Sequence, residues 1–371
     1  MVTGANGFIG KNLSVNIKQS SNIQIVPFTR DNSTNDLPEL LKSVDCIVHL
    51  AGINRSENPD DFFDGNVLFT EQLCSAIQAG GLKIPIIYTS SIQAELNNTY
   101  GNTKRKSEEI LLKLQKINGN PVFIYRLPNV FGKWARPNYN SAMATFSYNI
   151  ARDKPIQIHN PNAVIRMVYV DDVITNFKTL IENLLLSNSS AKTTYINIKP
   201  EYEITVGELV NQLQSFKESR NNLITDSVGA GLIRALYATY ISYLPFESFS
   251  YPLIENVDAR GKFVEIIKTI NAGQFSFFTA YPGITRGGHY HHTKSEKFLV
   301  IKGKACFRFR NIITNETHEL HSSENKSEII EMVPGWTHNI TNIGDDILIC
   351  LLWANEIFDN DNPDTIPCSI D

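Results

Sequence analysis

Two patterns of apolar residues divide this chain. Over the first two-thirds, apolar runs of strand length recur: IQIVPF (23–28), DCIVHLAG (45–52), IPIIYTSS (84–91) and PVFIYRLP (121–128). Between them, FTEQLCSAIQA (69–79) and KSEEILLKLQKI (106–117) place apolar residues at helical spacing. Strands alternating with helices predict a parallel sheet covered on both faces, doubly wound, with ligands at the carboxyl ends of its strands. From residue 258 the period changes. KFVEII, QFSFFTAY, KFLVIKG, KACFRFRNI, SEIIEMV and DDILICLLWA are short runs separated by Gly, Pro and Asn. They predict an all-β sandwich or barrel. The stretch at 235–257 is aromatic, with Pro245 and Pro252, and lacks the Gly/Ser composition of a flexible linker. The expected domains are therefore 1–247, α/β, and 252–371, all-β.

Composition narrows the partners. The chain has 371 residues, enough for two cores, with 42% hydrophobic and 19% charged residues, ordinary for a globular protein. A net charge of −4 gives no reason to expect nucleic acid. No apolar run approaches the ~18 residues of a membrane span, and no secretion signal opens the chain. The five cysteines are scattered and form no CxxC, as expected of reduced thiols in a cytoplasmic protein.

Candidate chemistry begins at VTGANGFIG. Gly4, Gly7 and Gly10, with Phe8 and Ile9 between them, form the glycine turn that brings backbone N–H groups to a dinucleotide pyrophosphate. Only Met1 to Thr3 precede the turn, so the first strand is expected to be short or the natural start to lie upstream. Arg30 ends the second run, 20 residues past Gly10. An Arg there suits a ribose 2′-phosphate, hence NADPH rather than NADH. Ser91 ends a strand-like run, and Tyr100 and Lys104 follow one helical turn apart. Such a set does carbonyl reduction: the tyrosine exchanges a proton with the carbonyl oxygen, the serine bonds that oxygen, and the lysine lowers the tyrosine pKa and holds the ribose.

In the last third, His289 and His291 share a strand face while His292 points away. Glu296 follows five residues later, and His338 sits after Pro-Gly-Trp before another strand. Three imidazoles and a carboxylate suit a divalent transition metal with room for one more oxygen; a solvent-exposed histidine pair is the alternative. His49 lies in a buried run and reads as a satisfied core residue, and His159, His318 and His321 receive no role.

These motifs resemble known families. TGANGFIG, DCIVHLAG, GNV (65–67), YTSS, YGNTK, RLPNVFG and RMVYVDDV resemble the extended short-chain dehydrogenase/reductases of nucleotide sugars over residues 1 to about 245. The resemblance implies that Leu50, Ala51 and Gly52 line the cofactor cleft, that Asn66 organises the catalytic region against the substrate, and that Asn129 and Arg166 face nucleotide-sugar phosphates. This chain departs in spacing: Ser91 and Tyr100 are nine apart, and the segment from Arg30 to Asp45 is short, so a reduced third strand is expected. Gly283-x5-His289-x-His291-x4-Glu296-x6-Gly303 is similar to the first cupin motif, and Gly335-x2-His338-x3-Asn342 to the second. DARGKFVE and RGGHYHH resemble metal-free dTDP-4-keto-6-deoxy-hexose 3,5-epimerases, where a histidine in the place of His289 is the base.

Over its whole length the chain resembles the CapF-type enzymes of capsular N-acetyl-L-fucosamine synthesis. RLPNVFGKW, PNYNSAMATF, SYLPFESFSYPL, GHYHHTKSEKFLV and WANEIFDNDNPDT carry that resemblance. It implies a homodimer through the cupin, zinc at the cupin site, and two activities. The cupin would epimerise C3 of UDP-2-acetamido-2,6-dideoxy-L-hexos-4-ulose. The reductase would then reduce C4 with NADPH to UDP-2-acetamido-2,6-dideoxy-L-talose. Tyr290, His292 and Lys294 are all open as the epimerisation base. A plain reductase with a structural or sensing cupin is the alternative.

Overall fold

The computed structural model describes residues 1–19, 23–186, 194–258, 261–264, 267–269, 273–356 and 361–371. The chain forms two compact units, Met1–Ser141 with Ile165–Glu203, and Ala142–Val164 with Ile204–Asp371.

The first unit is built on a six-stranded sheet. Its spatial order is Pro27–Phe28, Val2–Thr3, Ile47–His49, Ile86–Ser91, Val122–Leu127, Thr194–Ile196. Every neighbouring pair is parallel. The chain leaves Val2–Thr3 first to one side and then to the other, so the strand preceding the glycine turn is the topological switch point, where such sheets bind ligands. All six residues of Ile86–Ser91 are buried, as a strand covered on both faces requires. Leu73, Ile77, Leu111 and Leu114 from flanking helices pack on Ile47, Ile86, Tyr88, Val122 and Ile124. The run 23–28 contributes only Pro27–Phe28 as strand. Proline has no N–H to donate, and its strand lies at the sheet edge, where that is tolerated. The short Arg30–Asp45 connection is one four-residue helix, Leu37–Leu40, between two 3-10 turns, and the strand it feeds, Ile47–His49, has three residues.

The second unit contains two five-stranded antiparallel sheets. One runs Ser250–Pro252, Glu328–Met332, Glu296–Lys302, Leu348–Ala354, Gln274–Ala280; the other runs Thr317–Ser323, Lys304–Asn311, Trp336–Asn342, Thr285–Tyr290, Ile366–Pro367. Their inner faces meet at Phe298 and Phe307, whose rings lie 6.1 Å apart, and at Phe298 and His338, 6.5 Å apart. These are the antiparallel sheets of the all-β domain expected from the alternating runs, consistent with the cupin that the motifs resemble.

The domains expected from the sequence meet at 247–252, whereas the compact units divide the chain elsewhere. Helices Ala142–Ile150, Val206–Asn222 and Gly231–Ile241 belong to the same unit as the cupin sheets. A buried clasp holds the helix Val206–Asn222 there. Arg220 and Lys297 both bond the carboxylate of Glu331, which is fully buried, and Arg220 also bonds the Ser248 carbonyl. Burial alone would neutralise Glu331; the two cations outweigh it and hold its pKa below the ordinary value. Among the described residues no helix is long and apolar enough to cross a membrane.

Candidate active site and metal centre

The glycine turn is closed against side chains. Gly4 has φ +66°, and a Cβ there would stand 2.9 Å from the Ala51 nitrogen. A Cβ on Gly10 would stand 2.4 Å from the Gly4 carbonyl oxygen, and one on Gly7 3.0 Å from the same atom. The helix Phe8–Lys18 begins at Gly7 with no side-chain cap, leaving its first N–H groups for a ligand. Phe8 and Ile9 open that helix. These cradles fit a dinucleotide pyrophosphate. Leu50 and Ala51 both donate their N–H to Thr3 Oγ1, 3.1 Å each, which fixes the 50–52 turn beside the glycines. Arg30 is exposed two residues past the edge strand, whose Phe28 carbonyl accepts from Gly4 N–H at 2.9 Å. It therefore follows the carboxyl end of the strand next to the turn.

Ser91, Tyr100 and Lys104 come together. Ser91 ends its strand, and its hydroxyl bonds Tyr100. Lys104 is buried one turn further along the helix Thr99–Asn118, with Nζ 4.5 Å from the Tyr88 ring centroid. The nine-residue spacing is spanned by a 3-10 turn, Ile92–Glu95, and an Asn98 side chain that caps the helix. Gly101 makes this short path possible, because a Cβ there would lie 2.0 Å from the Gln93 carbonyl oxygen. That role was not read from the sequence, although the glycine directly follows Tyr100.

Burial pushes the Tyr100 phenol up to about 12, against the Ser91 hydrogen bond. It is a neutral proton donor at ordinary pH, the form ketone reduction needs. Burial pulls Lys104 down to about 7, with Glu108 opposing. The cationic form is thus present below about pH 7 and lost above it, while Tyr100 does not titrate until far higher. Accordingly, kcat/KM for reduction should fall as pH rises through about 7 to 8. A profile level between about pH 6 and pH 9 would contradict the Lys104 assignment.

Asn66 lies in a one-turn π-helical segment, Phe63–Leu68, a distortion frequent at functional sites. Its Oδ1 accepts from Ile53 N–H at 2.8 Å, and its Nδ2 donates to the Ile53 carbonyl and to Thr103 Oγ1, 3.0 Å each. It ties the loop after Gly52 to the helix carrying Tyr100 and Lys104. A hydrogen-bonded relay supports it from below. Thr70 donates to the Asn66 carbonyl at 2.6 Å, His49 Nε2 stands 2.9 Å from Thr70, and Nδ1 stands 2.8 Å from Thr3. Both His49 nitrogens are satisfied, and burial lowers its pKa to about 3, so it is a neutral core residue. Gly52 is pressed between these groups: a Cβ there would stand 2.6 Å from Asn66 Oδ1 and 3.7 Å from Lys104 Nζ. Asn129 and Arg166 are also brought together, Asn129 Nδ2 donating to the Arg166 carbonyl at 3.0 Å. The guanidinium is half exposed and paired with Glu201 at 2.6 Å.

The second unit holds the other cluster. His289 and His338 are cross-strand partners in one sheet, beside a bulge between Gly287 and His289. Glu296 opens a strand of the facing sheet, and His291 follows the strand Thr285–Tyr290. One donor atom from each of the four residues lies within 4.8 Å of the others. Glu296 Oε2 stands 3.3 Å from His291 Nε2 and 3.5 Å from His338 Nε2. Both of those ring nitrogens are buried with no hydrogen bond of good geometry. Buried orphan nitrogens are costly, and four converging N and O donors satisfied by one cation remove that cost; the residues fit a divalent metal. Burial, then the neighbouring His338 and His291, lower His289 to about 3, leaving it in the neutral form that ligates. His292 is outside the set, its ring set edge-on to Tyr290 at 5.5 Å. Lys294 Nζ is held by the Pro363 carbonyl at 3.2 Å and Thr365 Oγ1 at 2.6 Å.

A doubly wound sheet with a serine–tyrosine–lysine set, carried on one chain with a second unit of two antiparallel sheets, defines a short-chain dehydrogenase/reductase fused to a β-rich domain. Residues 1–191 match the NAD dependent epimerase/dehydratase family, and residues 256–366 match the polysaccharide biosynthesis C-terminal domain. The chain is 55% identical over 370 residues to UDP-2-acetamido-2,6-beta-L-arabino-hexul-4-ose reductase of Pseudomonas aeruginosa, covering 100% of this chain and 98% of that one. Its structure is similar to the capsular polysaccharide assembling protein CapF from Staphylococcus aureus, with TM-score 0.66, 40% identity and 99% of each chain covered. It is similar also to CapF with the inhibitor 3-isopropenyl-tropolone, with TM-score 0.62, 37% identity and 99% of each chain covered. The chain belongs to the NAD dependent epimerase/dehydratase family and, over its full length, to its CapF-type members.

Proposed function

We propose that this protein carries out two consecutive reactions on a UDP-linked 4-keto amino sugar for surface polysaccharide synthesis. The first is C3 epimerisation in the cupin; the second is C4 reduction at Ser91, Tyr100 and Lys104. The observation that carries this reading is the presence, in one chain, of two complete and chemically different constellations. The full-length relative is named as a reductase of such a sugar, which supports the second reaction. A tropolone inhibitor of the CapF relative supports a working metal, since tropolones chelate divalent cations through paired oxygens.

When bound, NADPH supplies a hydride and the cupin metal, proposed as zinc, supplies Lewis acidity. The protein does the rest. Ser91 and Tyr100 orient the C4 carbonyl, and Tyr100 gives its proton to the oxygen as the carbon is reduced. Lys104 supports the proton transfer by its charge and holds the ribose. Arg30 favours a 2′-phosphate. Arg166, released from Glu201, and Asn129 face the diphosphate, which a planar guanidinium matches in geometry. In the cupin, His289, His291, Glu296 and His338 would hold the ion; a base removes the C3 proton, acidic only while C4 is a ketone, and a proton returned to the opposite face of C3 restores the ketone with C3 inverted. Tyr290 and His292 remain candidates for that base; the bonds of Lys294 to the C-terminal segment disfavour it. Reduction removes the ketone, so epimerisation precedes it. A cytoplasmic homodimer joined through the cupins completes the proposal.

The test is the product. Incubated with NADPH and UDP-2-acetamido-2,6-dideoxy-L-hexos-4-ulose, the enzyme should yield UDP-2-acetamido-2,6-dideoxy-L-talose, with both C3 and C4 changed by NMR. Reduction with C3 retained would overturn the epimerase half.

A further inference from the structure

We propose that Asp364, in the C-terminal segment, is a positioning residue of the metal centre: its carboxylate fixes the turn between His291 and Glu296 and thereby keeps its own carbonyl oxygen on His291 Nδ1, which sets the tautomer of that imidazole. The proposal rests on the reading that the cupin holds a metal.

The first half follows from one hydrogen bond. His291 Nδ1 lies 2.6 Å from the backbone carbonyl oxygen of Asp364. A carbonyl can only accept, so Nδ1 carries the proton. The lone pair is then on Nε2, the nitrogen that faces Glu296 at 3.3 Å. Without this acceptor the imidazole could place its proton on Nε2 and turn the wrong face to the ion.

The second half follows from the carboxylate. Asp364 Oδ1 accepts from His292 N–H at 2.8 Å. Its Oδ2 accepts from Thr293 N–H and Lys294 N–H at 2.8 Å each, and from Thr293 Oγ1 at 2.9 Å. Four residues separate His291 from Glu296. Three of their N–H groups end on this one side chain, and the fourth, from Ser295, ends on Asn355 Oδ1 at 2.9 Å. The spacing between two ligands is thereby fixed from outside the site.

The segment is itself anchored. Ile366 and Pro367 pair with Tyr290 and His289, Cys368 N–H donates to the Gly288 carbonyl at 2.8 Å, and Thr365 accepts from Lys294. Asp364 has φ +32°, a backbone conformation that a non-glycine residue holds only when its surroundings impose it. These bonds impose it.

The test measures metal affinity rather than activity. Full-length wild type, Asp364→Ala, Asp364→Asn and His291→Ala are stripped and titrated with Zn²⁺ against a competing chelator, and the melting temperature of each metal-free protein is recorded. We expect Asp364→Ala to bind about 10- to 100-fold more weakly, beyond any change in the metal-free melting temperature. We expect Asp364→Asn, which keeps one acceptor oxygen, to fall between it and wild type. Should the alanine variant fail to fold, the asparagine variant decides by the same measure: weaker binding supports the role and wild-type affinity overturns it. Wild-type affinity in Asp364→Ala, with loss only in His291→Ala, overturns the proposal alone. No stoichiometric metal in the wild type overturns it together with the reading beneath it.

Discussion

Replacing Tyr100 with Phe is expected to slow NADPH oxidation with the UDP-linked 4-keto sugar by about 10²- to 10⁴-fold, the range for losing a positioned general acid. The substitution removes one oxygen. The ring keeps its place beside Phe62, 6.1 Å away, and the helix Thr99–Asn118 keeps its Asn98 cap and its close approach at Gly101. What disappears is the phenol beside Ser91, which burial keeps neutral at ordinary pH. The loss should therefore appear in kcat, with nucleotide-sugar binding little changed, because Asn129 and Arg166, the proposed diphosphate contacts, lie on strands apart from this helix. Steady-state rates followed by NADPH absorbance check this. A wild-type rate in the variant would show that the proton comes from elsewhere.

The second large effect belongs to the cupin. Replacing His338 with Ala should cost the protein its metal and slow exchange of the C3 hydrogen by at least about a hundredfold, since Lewis-acid stabilisation of developing charge is worth several kcal/mol. His338 is the ligand to change because it is fully enclosed and sits opposite His289 in the ladder, so the gap it leaves lies inside the donor set. Glu296 would then face a smaller group of donors, and three protein ligands around a gap in the buried set hold an ion more weakly than four. Elemental analysis should show the metal lost, and NMR in D₂O should show the exchange lost. Reduction of a sugar that already has the product's C3 configuration should continue, because Tyr100 and Lys104 belong to the other unit. Exchange at the wild-type rate in a metal-free variant would make the ion structural, as in the alternative of a plain reductase with a passive cupin.

Much of this arrangement is legible in the sequence because it is local. The glycine turn, the one-turn spacing of Tyr100 and Lys104, and the His-x-His pair are set by backbone periods that the sequence displays directly. The four-ligand cluster was legible too, since the cupin spacing ties Glu296 and His338 to it. Other features depend on what the chain meets after folding. Proline at 27 turned an apparent six-residue strand into a two-residue edge strand. The short Ser91–Tyr100 path looked like an abbreviated loop; that Gly101 permits it shows only once Gln93 is seen against it. The helices within 142–164 and 204–247 carry no mark of their packing with the cupin sheets, because Arg220, Lys297 and Glu331 are far apart in sequence and look like ordinary surface charges. Asp364 stands in an acidic, proline-bearing tail, and nothing local distinguishes it from its acidic neighbours. The residues DARGKFVE, whose resemblance points to epimerase chemistry, fall partly outside the described residues.

In the proposed sequence the cupin acts on the ketone before the reductase does. The most direct measurement is incorporation of deuterium at C3 of the UDP-linked 4-keto sugar by metal-loaded, full-length protein in D₂O without NADPH. Incorporation is expected in the wild type, to the same extent in Tyr100→Phe, and not in His338→Ala. Absence of deuterium at C3 in the metal-loaded wild type would contradict it.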